Sequence, residues 1–87
     1  MKVKQNEMVL FSIIKEGEYG LLNPLSRKLH RINETGRIIW DSCEEARDTA
    51  EIAPIVAEHF HISQEAIQKD VEDFIDRMIT FELLESI

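Results

Sequence analysis

The stretch from Tyr19 to Trp40 constrains the fold of this chain most, because it places two strands, a reverse turn and a helix start in one short segment. Asn23-Pro24 should end the first strand, since proline fixes φ at about −65° and has no backbone donor. Lys28 to Ile32 is predicted to return as a second strand, and Asn33 is a favourable residue type for a helix N-cap. A strand that runs directly into a capped helix leaves a groove between the two elements.

The size of the chain limits what it can do. Residues 1–87 are predicted to form a single domain, and a domain of this size has too small a core to enclose a deep catalytic cavity. No apolar run approaches the roughly 20 residues that cross a bilayer, and the first residues lack the cleavage site of a signal peptide. Cys43 is the only cysteine, so no disulfide framework is expected and the cytoplasm is the predicted location.

The charge of the chain is unevenly distributed. The formal net charge is −7, yet residues 1–40 carry seven lysines and arginines against four acidic residues, a balance of +3. Residues 41–87 carry three basic residues against thirteen acidic ones, a balance of −10. This acidic part would repel a phosphate backbone, which argues against nucleic-acid binding. Four basic residues fall between Arg27 and Arg37, where they are either solvated positions or a patch suited to acidic side chains of a partner.

Three short strands are predicted ahead of the helices. Val9 to Lys15 is rich in β-branched and aromatic residues and ends at Glu16-Gly17, which suits a turn into Tyr19 to Asn23. With Lys28 to Ile32 these segments form an antiparallel sheet, which at this size needs a helical layer over one face. Leu83 and Leu84 remain for a short terminal strand or coil. The predicted class is α+β, a small winged-helix-like domain in the order βββααα.

The first predicted helix runs from about Glu34 to Cys43. Its apolar residues Ile38 and Ile39, joined by Ala46, are expected to face inward, with Trp40 or Cys43 along the border. The loop through residues 44–47 closes this helix.

Two further helices follow. Asp48-Thr49-Ala50-Glu51 matches a capping box, in which the cap residue and the acid three positions later satisfy each other's free donors. Pro54 lies inside this helix, which favours a loose first turn with the helix proper starting nearer Ile52 or Ala53. Ser63 is predicted to cap the longest helix, Gln64 to Phe81. Its apolar residues recur at spacings of three and four, at Ile67, Val71, Phe74, Ile75 and Met78.

No catalytic constellation or metal site is predicted. His30, His59 and His61 do not have the spacing of a structural zinc site, which takes four ligands, and Cys43 is distant in sequence. Two glutamates follow Cys43 and raise the pKa expected of its thiol, so a structural cysteine is expected instead of a nucleophile. The acidic residues of the third helix are spread around it, and no glycine-rich phosphate loop is present. We therefore expect no catalytic activity and no cofactor.

A combination of motifs resembles the PqqD-like family, the peptide-recognition domains of ribosomal peptide-modification pathways. The residues that carry it are Leu22-Asn23-Pro24, Lys28-Leu29-His30, Ile32-Asn33-Glu34-Thr35-Gly36 and Ile39-Trp40. The resemblance extends from about Val9 to the C-terminus. Two departures stand out: Arg31 replaces a residue that is often apolar in the family, and Glu82-Leu83-Leu84 replaces Gly-Leu-Leu. The missing glycine leaves the ending of the last helix open.

The resemblance implies a non-catalytic module that binds the leader segment of a ribosomally made precursor peptide. The leader would add as an antiparallel strand to the edge of the third strand, beside the third helix, as an exposed edge allows. The module would then present the precursor to a modifying enzyme, of the radical S-adenosylmethionine type or another, with PQQ biosynthesis as one such pathway. The implied peptide-binding residues are Lys28, Leu29, His30, Arg31 and Ile32 of the strand and Asp70, Val71, Phe74, Arg77 and Met78 of the helix.

Alternatives stay open at this point. Val71 and Phe74 are each also explained as core residues, and the flank of the third helix that faces the groove is undetermined. A winged-helix DNA-binding regulator requires a basic recognition helix, whereas Gln64 to Phe81 carries five acidic residues against two basic ones. An unprotected strand edge also pairs with its own copy, so a scaffold or dimerisation domain, as a monomer or a weak homodimer through that edge, is a further candidate. No nucleic-acid or membrane partner is expected.

Overall fold

The computed structural model describes every residue from Met1 to Ile87 and contains two three-stranded antiparallel sheets and three α-helices. The strands are β1 Lys2–Gln5, β2 Leu10–Lys15, β3 Glu18–Asn23, β4 Lys28–Ile32, β5 Arg47–Asp48 and β6 Leu84–Ser86. The helices are α1 Glu34–Ser42, α2 Ile52–Phe60 and α3 Gln64–Thr80. The predicted α+β class is confirmed; strands β1 and β5 were not predicted, and β6 lies where the sequence left a short strand or coil open.

The first sheet is the predicted meander, in the order β2-β3-β4. Its β3–β4 register pairs Tyr19 with Ile32 and Asn23 with Lys28. The turn between these strands is built around Asn23, which is buried and whose side-chain oxygen accepts from the Leu25 amide at 3.0 Å. Proline at the next position then turns the chain, as its fixed φ requires.

The second sheet, in the order β5-β1-β6, was not predicted. Val3 is its buried centre and pairs with Arg47 on one side and Ser86 on the other. The strands are only two to four residues long, and each is paired with a segment distant in sequence. Local patterning does not reveal such strands, because their stability comes from non-local pairing and burial. Of the two leucines predicted for a short strand or coil, Leu84 opens β6 and Leu83 precedes it.

Helix α1 begins as predicted, and its buried face is wider than predicted. Asn33 caps it, with its side-chain oxygen accepting from the Gly36 amide at 3.0 Å. The inward prediction is confirmed for Ile39, which is completely buried, and for Ile38, which is half-buried and packs against the core, but it is wrong for Ala46, which is exposed. The buried residues are Gly36, Ile39, Trp40 and Cys43, which recur at spacings of three and four and therefore share one face. Trp40 and Cys43, predicted for the border, lie in the core.

Helix α2 has the predicted loose start. Residues Thr49–Glu51 form a 3-10 helix, and the α-helix begins at Ile52, so Pro54 lies in the first α-helical turn. The reciprocal capping box is not formed: Asp48 accepts from the Ala50 amide at 3.0 Å, while the Glu51 carboxylate lies 3.6 Å from Arg47. In the 3-10 turn, the Ala50 amide comes within reach of the Asp48 carboxylate. Glu51 is therefore free to pair with Arg47.

Helix α3 spans the core and ends one residue before the predicted Phe81. Ser63 has the extended backbone of an N-cap, but its side chain makes no capping hydrogen bond. At the other end Glu82 takes the left-handed conformation (φ 58°), and the Leu83 amide donates to the Met78 carbonyl at 2.8 Å. This is the hydrogen-bond pattern that glycine usually supplies at a helix end. The departure from glycine at this position therefore leaves the helix end unchanged.

The hydrophobic core lies between the meander sheet, the helices and the second sheet. Its completely buried side chains include Leu21, Ile39, Ile52, Val56 and Leu83. None of the helices combines the length and apolar character that crossing a membrane requires.

Candidate functional site

Strand β4 is an open edge of the meander sheet. It pairs with β3 on one side and with no strand on the other. In an antiparallel strand, the N–H and C=O groups that do not bond to the neighbour point away from it, so β4 presents unpaired donors and acceptors. Helix α3 lies alongside, and residues of both elements line the same cleft. The edge and the helix together form a groove.

The side chains of β4 alternate between the two faces of the sheet. Ile32, at 7% exposure, packs into the core, and His30 on the same face is half-buried. Leu29 and Arg31 are exposed and lie on the opposite face of the strand. Beside the edge is a cleft of about 160 Å³, lined by His30, Arg31, Ile32, Phe74, Arg77, Met78, Phe81 and Leu83. A strand added to β4 would place alternate side chains into this mostly apolar cleft.

One end of the cleft is closed by an aromatic pair. His30 stacks on Phe81, with ring centroids 4.6 Å apart and planes inclined by 27°. Phe81 and Leu83 were not among the predicted binding residues. Phe81 could have been predicted from the sequence. It lies three positions after Met78 and seven after Phe74, so it continues the apolar face that those residues form on the helix.

The floor of the groove depends on close packing between α1 and α3. A Cβ atom on Gly36 would stand 2.9 Å from the Ile32 Cβ and 2.9 Å from the Phe74 Cζ. Only glycine therefore allows the first turn of α1 to pack this closely against the Phe74 ring. The guanidinium of Arg77 lies 5.9 Å from the centroid of the same ring. Phe74 is thus positioned from both sides.

The other end of the groove is polar. The β2–β3 turn at residues 15–18 borders a wider opening that Arg31 and Arg77 also line. Glu18 forms ion pairs with Arg31 at 3.3 Å and with Lys15 at 3.5 Å. Lys15 and Arg31 are both more than 70% exposed. Exposed ion pairs contribute little to stability. Arg31 is therefore available to exchange Glu18 for an acidic group of a partner.

The junction between β4 and α1 is braced by a polar cluster. The Tyr19 hydroxyl donates to the Glu34 carboxylate at 2.6 Å. The Arg37 guanidinium lies 4.7 Å from the Tyr19 ring centroid and pairs with Asp41 at 3.5 Å. These contacts fix the helix to the sheet immediately after the open strand and so brace one wall of the groove.

The structure brings most of the predicted site residues together. All five β4 residues lie along the edge, and Phe74, Arg77 and Met78 line the groove from α3. Val71 is 2% exposed and belongs to the core, as its alternative interpretation held. Asp70 lies with Asp73, Asp76 and Arg77 around a separate shallow depression. The flank of α3 that faces β4 is therefore the one that carries Phe74, Met78 and Phe81.

Cys43 lies away from the groove, in the core. It is completely buried, and burial raises the pKa of its thiol, while a hydrogen bond with Ser42 and the charge of Arg47 act in the opposite direction. A neutral thiol is a poor nucleophile. No group of three or more His, Cys, Asp or Glu side chains converges in an arrangement that suits a metal ion.

Comparisons with known proteins match both the sequence and the fold. A family model described as coenzyme PQQ synthesis protein D (PqqD) matches residues 18–84, from the start of β3 to the start of β6. A solved structure described as TbiB1 in complex with the TbiA(beta) leader peptide superposes with a TM-score of 0.79 at 24% sequence identity. The match covers 97% of this chain and 96% of that chain, and it shows a shared fold. No match was found among curated proteins.

Proposed function

This chain belongs to the PqqD family, and we propose that it is a non-catalytic module that captures the leader segment of a ribosomally made precursor peptide. The observation that carries the proposal is the open β4 edge beside the apolar cleft of α3. An extended peptide that adds to such an edge gains backbone hydrogen bonds, and pockets beside the edge select alternate side chains. The similarly folded TbiB1 was solved with a leader peptide, which supports the same class of ligand here.

The cleft favours one bulky apolar side chain in the leader. Its volume is about 160 Å³, and a protein cavity of about 150 Å³ accommodates a benzene molecule. Ile32, Phe74, Met78 and Phe81 supply apolar walls. One aromatic or large aliphatic residue of the leader would fill this space, and its neighbours in sequence would point to the opposite face of the sheet.

The charges around the groove favour acidic residues in the leader. Lys28 and Arg31 are exposed on the edge strand, and Arg77 stands on the helix rim. Arg31 and Arg77 both border the polar end, where Glu16 and Glu18 are the nearby acids. A leader carboxylate that reaches Arg77 forms a charge-assisted hydrogen bond, the stronger kind. We infer an acidic residue next to the apolar anchor.

The bound precursor would then be presented to a separate modifying enzyme. Residues 1–87 act as one domain in this proposal, with no cofactor, because the groove offers recognition and no reactive group. The family's description links it to PQQ synthesis, and a radical S-adenosylmethionine enzyme, in that or another pathway, is the partner we infer. A role in DNA binding lacks support, since α3 presents Asp70, Asp73 and Asp76 around one depression of its exposed surface.

The proposal is tested by fluorescence anisotropy with a labelled synthetic peptide that carries an acidic residue next to a bulky apolar one. Arg77→Glu should weaken binding by about tenfold, which corresponds to about 1.4 kcal/mol. Lys69→Glu is the matched control, since Lys69 is an exposed cation of the same helix that does not line the groove. The control should change affinity less than twofold by the estimate for non-contacting surface positions. Saturable binding that both substitutions weaken equally, or no binding at all, would contradict the proposal.

A further inference from the structure

Strand β2 is the second edge of the meander sheet and the least covered strand of the molecule. It pairs only with β3, and all six of its residues are exposed. Leu10, Phe11, Ile13 and Ile14 are 59%, 38%, 65% and 42% exposed. Proteins usually protect such an edge with charged residues or proline, and residues 10–14 contain neither.

Both faces of β2 are apolar. Ser12 and Ile14 lie on the outer face, where a Cβ on Gly20 would contact the Ser12 Oγ and the Ile14 Cδ1. Phe11 and Ile13 lie on the inner face, since Phe11 stacks on Tyr19 with centroids 5.7 Å apart and Ile13 is paired with Tyr19. A helix covers only one face of a strand. Another strand added to the edge contacts both.

We propose that β2 pairs antiparallel with β2 of a second copy of this chain, about a two-fold axis at Ser12. A two-fold axis perpendicular to the sheet keeps outer faces together and inner faces together. It places Leu10 opposite the partner's Ile14 and Phe11 opposite the partner's Ile13. Every pair that flanks the axis then joins two apolar side chains, while the small Ser12 stands at the axis itself.

The surroundings of β2 permit this pairing. Helix α1 packs against β3 and β4, and it reaches β2 with the Arg37 guanidinium, which lies 5.5 Å from the Phe11 ring centroid on the inner face. The irregularity between Ile13 and Lys15 ends the regular strand at the point where charged residues begin. The dimer would contain a continuous six-stranded sheet with β4 at each end.

The β4 edge lacks this self-complementarity. Pairing of β4 with its own copy about His30 would place Leu29 opposite the partner's Arg31 and Lys28 opposite the partner's Ile32. It would also gather two lysines and two arginines on neighbouring strands, and like charges at such distances destabilise a sheet. Association through β2 therefore leaves both β4 edges free for peptides, so each dimer has two grooves.

Charge and size make the dimer weak. Each copy carries a formal net charge of −7, so two copies repel, although β2 belongs to residues 1–40, where the balance is +3. Salt screens this repulsion and does not weaken apolar contacts. Four partly exposed apolar residues also fall short of the roughly 800 Å² per partner in a standard stable interface. We expect dimers at high micromolar protein concentration, with stronger association as the salt concentration rises.

Sedimentation velocity of the full chain over a concentration series tests the proposal through a charge-swap experiment. Leu10→Lys alone and Ile14→Glu alone should each raise the dimer dissociation constant at least tenfold. The double variant should recover most of this loss, because the register places the introduced lysine opposite the introduced glutamate twice in each dimer. Leu25→Lys, in the β3–β4 turn at 74% exposure, is the matched control and should dimerise like the unaltered chain.

The unaltered chain provides a second measurement that does not depend on the folding of a variant. With rising concentration, amide NMR signals of residues 10–14 should shift, while those of residues 28–32 stay constant. A saturating peptide that pairs with β4 should leave the dimer intact. A chain that remains monomeric at about 1 mM, a double variant no better than the single ones, or shifts confined to β4 would each overturn the proposal, and none of these outcomes bears on peptide capture by a monomer.

Discussion

His30 and Phe81 stack across the end of the groove, with ring centroids 4.6 Å apart. The contact joins the open strand β4 to the residue that follows α3, so it spans the two walls of the proposed peptide site. Phe81 is nevertheless 45% exposed. Its ring therefore contributes more to the shape of the groove than to the hydrophobic core.

Phe81→Ala separates these two contributions. We expect the leader affinity to fall by about three- to tenfold, within the range found when an interface aromatic is truncated. The free energy of unfolding should fall by less than about 1 kcal/mol, because the ring is half exposed. Phe60→Ala is the control, since Phe60 is 37% exposed at the end of α2 and does not line the groove. Equal loss of affinity in both variants, measured by anisotropy, would contradict the assignment of Phe81 to the site.

Gly36→Ala should destabilise the protein by about 1–3 kcal/mol, the usual cost of overpacking. The added methyl group would stand 2.9 Å from the Ile32 Cβ, which the backbone holds in place, and 2.9 Å from the Phe74 ring. Chemical denaturation followed by Trp40 fluorescence measures the change, because Trp40 is buried and is the only tryptophan.

Gly20→Ala is the matched control for this change. Its added methyl group would meet the Ser12 Oγ at 2.9 Å and the Leu29 Cδ1 at 3.0 Å, the ends of side chains on the open outer face. Gly20 is itself buried, but both of these side chains can rotate away, so the loss of stability should be smaller than that of Gly36→Ala. If both alanine variants were equally stable, close packing at Gly36 would not determine the floor of the groove.

Glu82→Gly should stabilise the protein by about 1 kcal/mol, since a non-glycine residue in the left-handed region costs about 1–2 kcal/mol. Glu82 has φ 58° and ends α3 in place of the glycine typical of helix ends. Glu85→Gly, in the exposed part of strand β6, should instead lower stability, because glycine weakens a strand. Thermal unfolding of the two variants measures both effects. A loss of stability in Glu82→Gly would show that the side chain makes a contribution larger than the backbone strain.

Stability should decline at alkaline pH because of Cys43. Burial raises the pKa of its thiol in the folded protein, whereas a thiol in the unfolded chain has a pKa of about 8.5. Above that pH the unfolded chain loses a proton that the folded protein retains, so unfolding becomes more favourable. The stabilisation from the neutral Cys43 thiol is complete below pH about 8.5. It is lost as the pH rises toward the folded-state pKa, by at most about 1.4 kcal/mol per pH unit. The free energy of unfolding of Cys43→Ala, measured by denaturation over the same pH series, should decline less at alkaline pH. Parallel pH profiles of the two proteins would show that the Cys43 thiol does not cause the decline.

Elements with local signals were predictable from the sequence. The Asn23-Pro24 turn, the Asn33 cap and the periodicity of α3 each depend on residues close together in the chain. The short sheet β5-β1-β6 depends on pairing between segments near residues 3, 47 and 85, and no local pattern records that pairing. The full extent of the inward face of α1 was missed for a similar reason. Its orientation is set by the contact of Gly36 with Phe74, a residue on another helix.

The candidate site likewise has one part that local sequence signals predict and one part that depends on contacts between distant residues. The β4 edge was predictable, because a strand bounded by a turn and a capped helix has few places to pair. The helix flank was not, since both flanks of α3 carry residues that fit a groove. The structure resolves this choice by burying Val71 and by placing Phe81 against His30.

Amide hydrogen exchange with and without the leader tests whether the leader pairs with β4. Every second amide of residues 28–32 should gain protection on binding, because alternate N–H groups of an edge strand point outward and a bound strand would accept from them. Amides of residues 10–14 should keep their exchange rates. Protection that appears on β2 or on the helices, while β4 exchanges as fast as in the free protein, would show that the leader does not pair with β4.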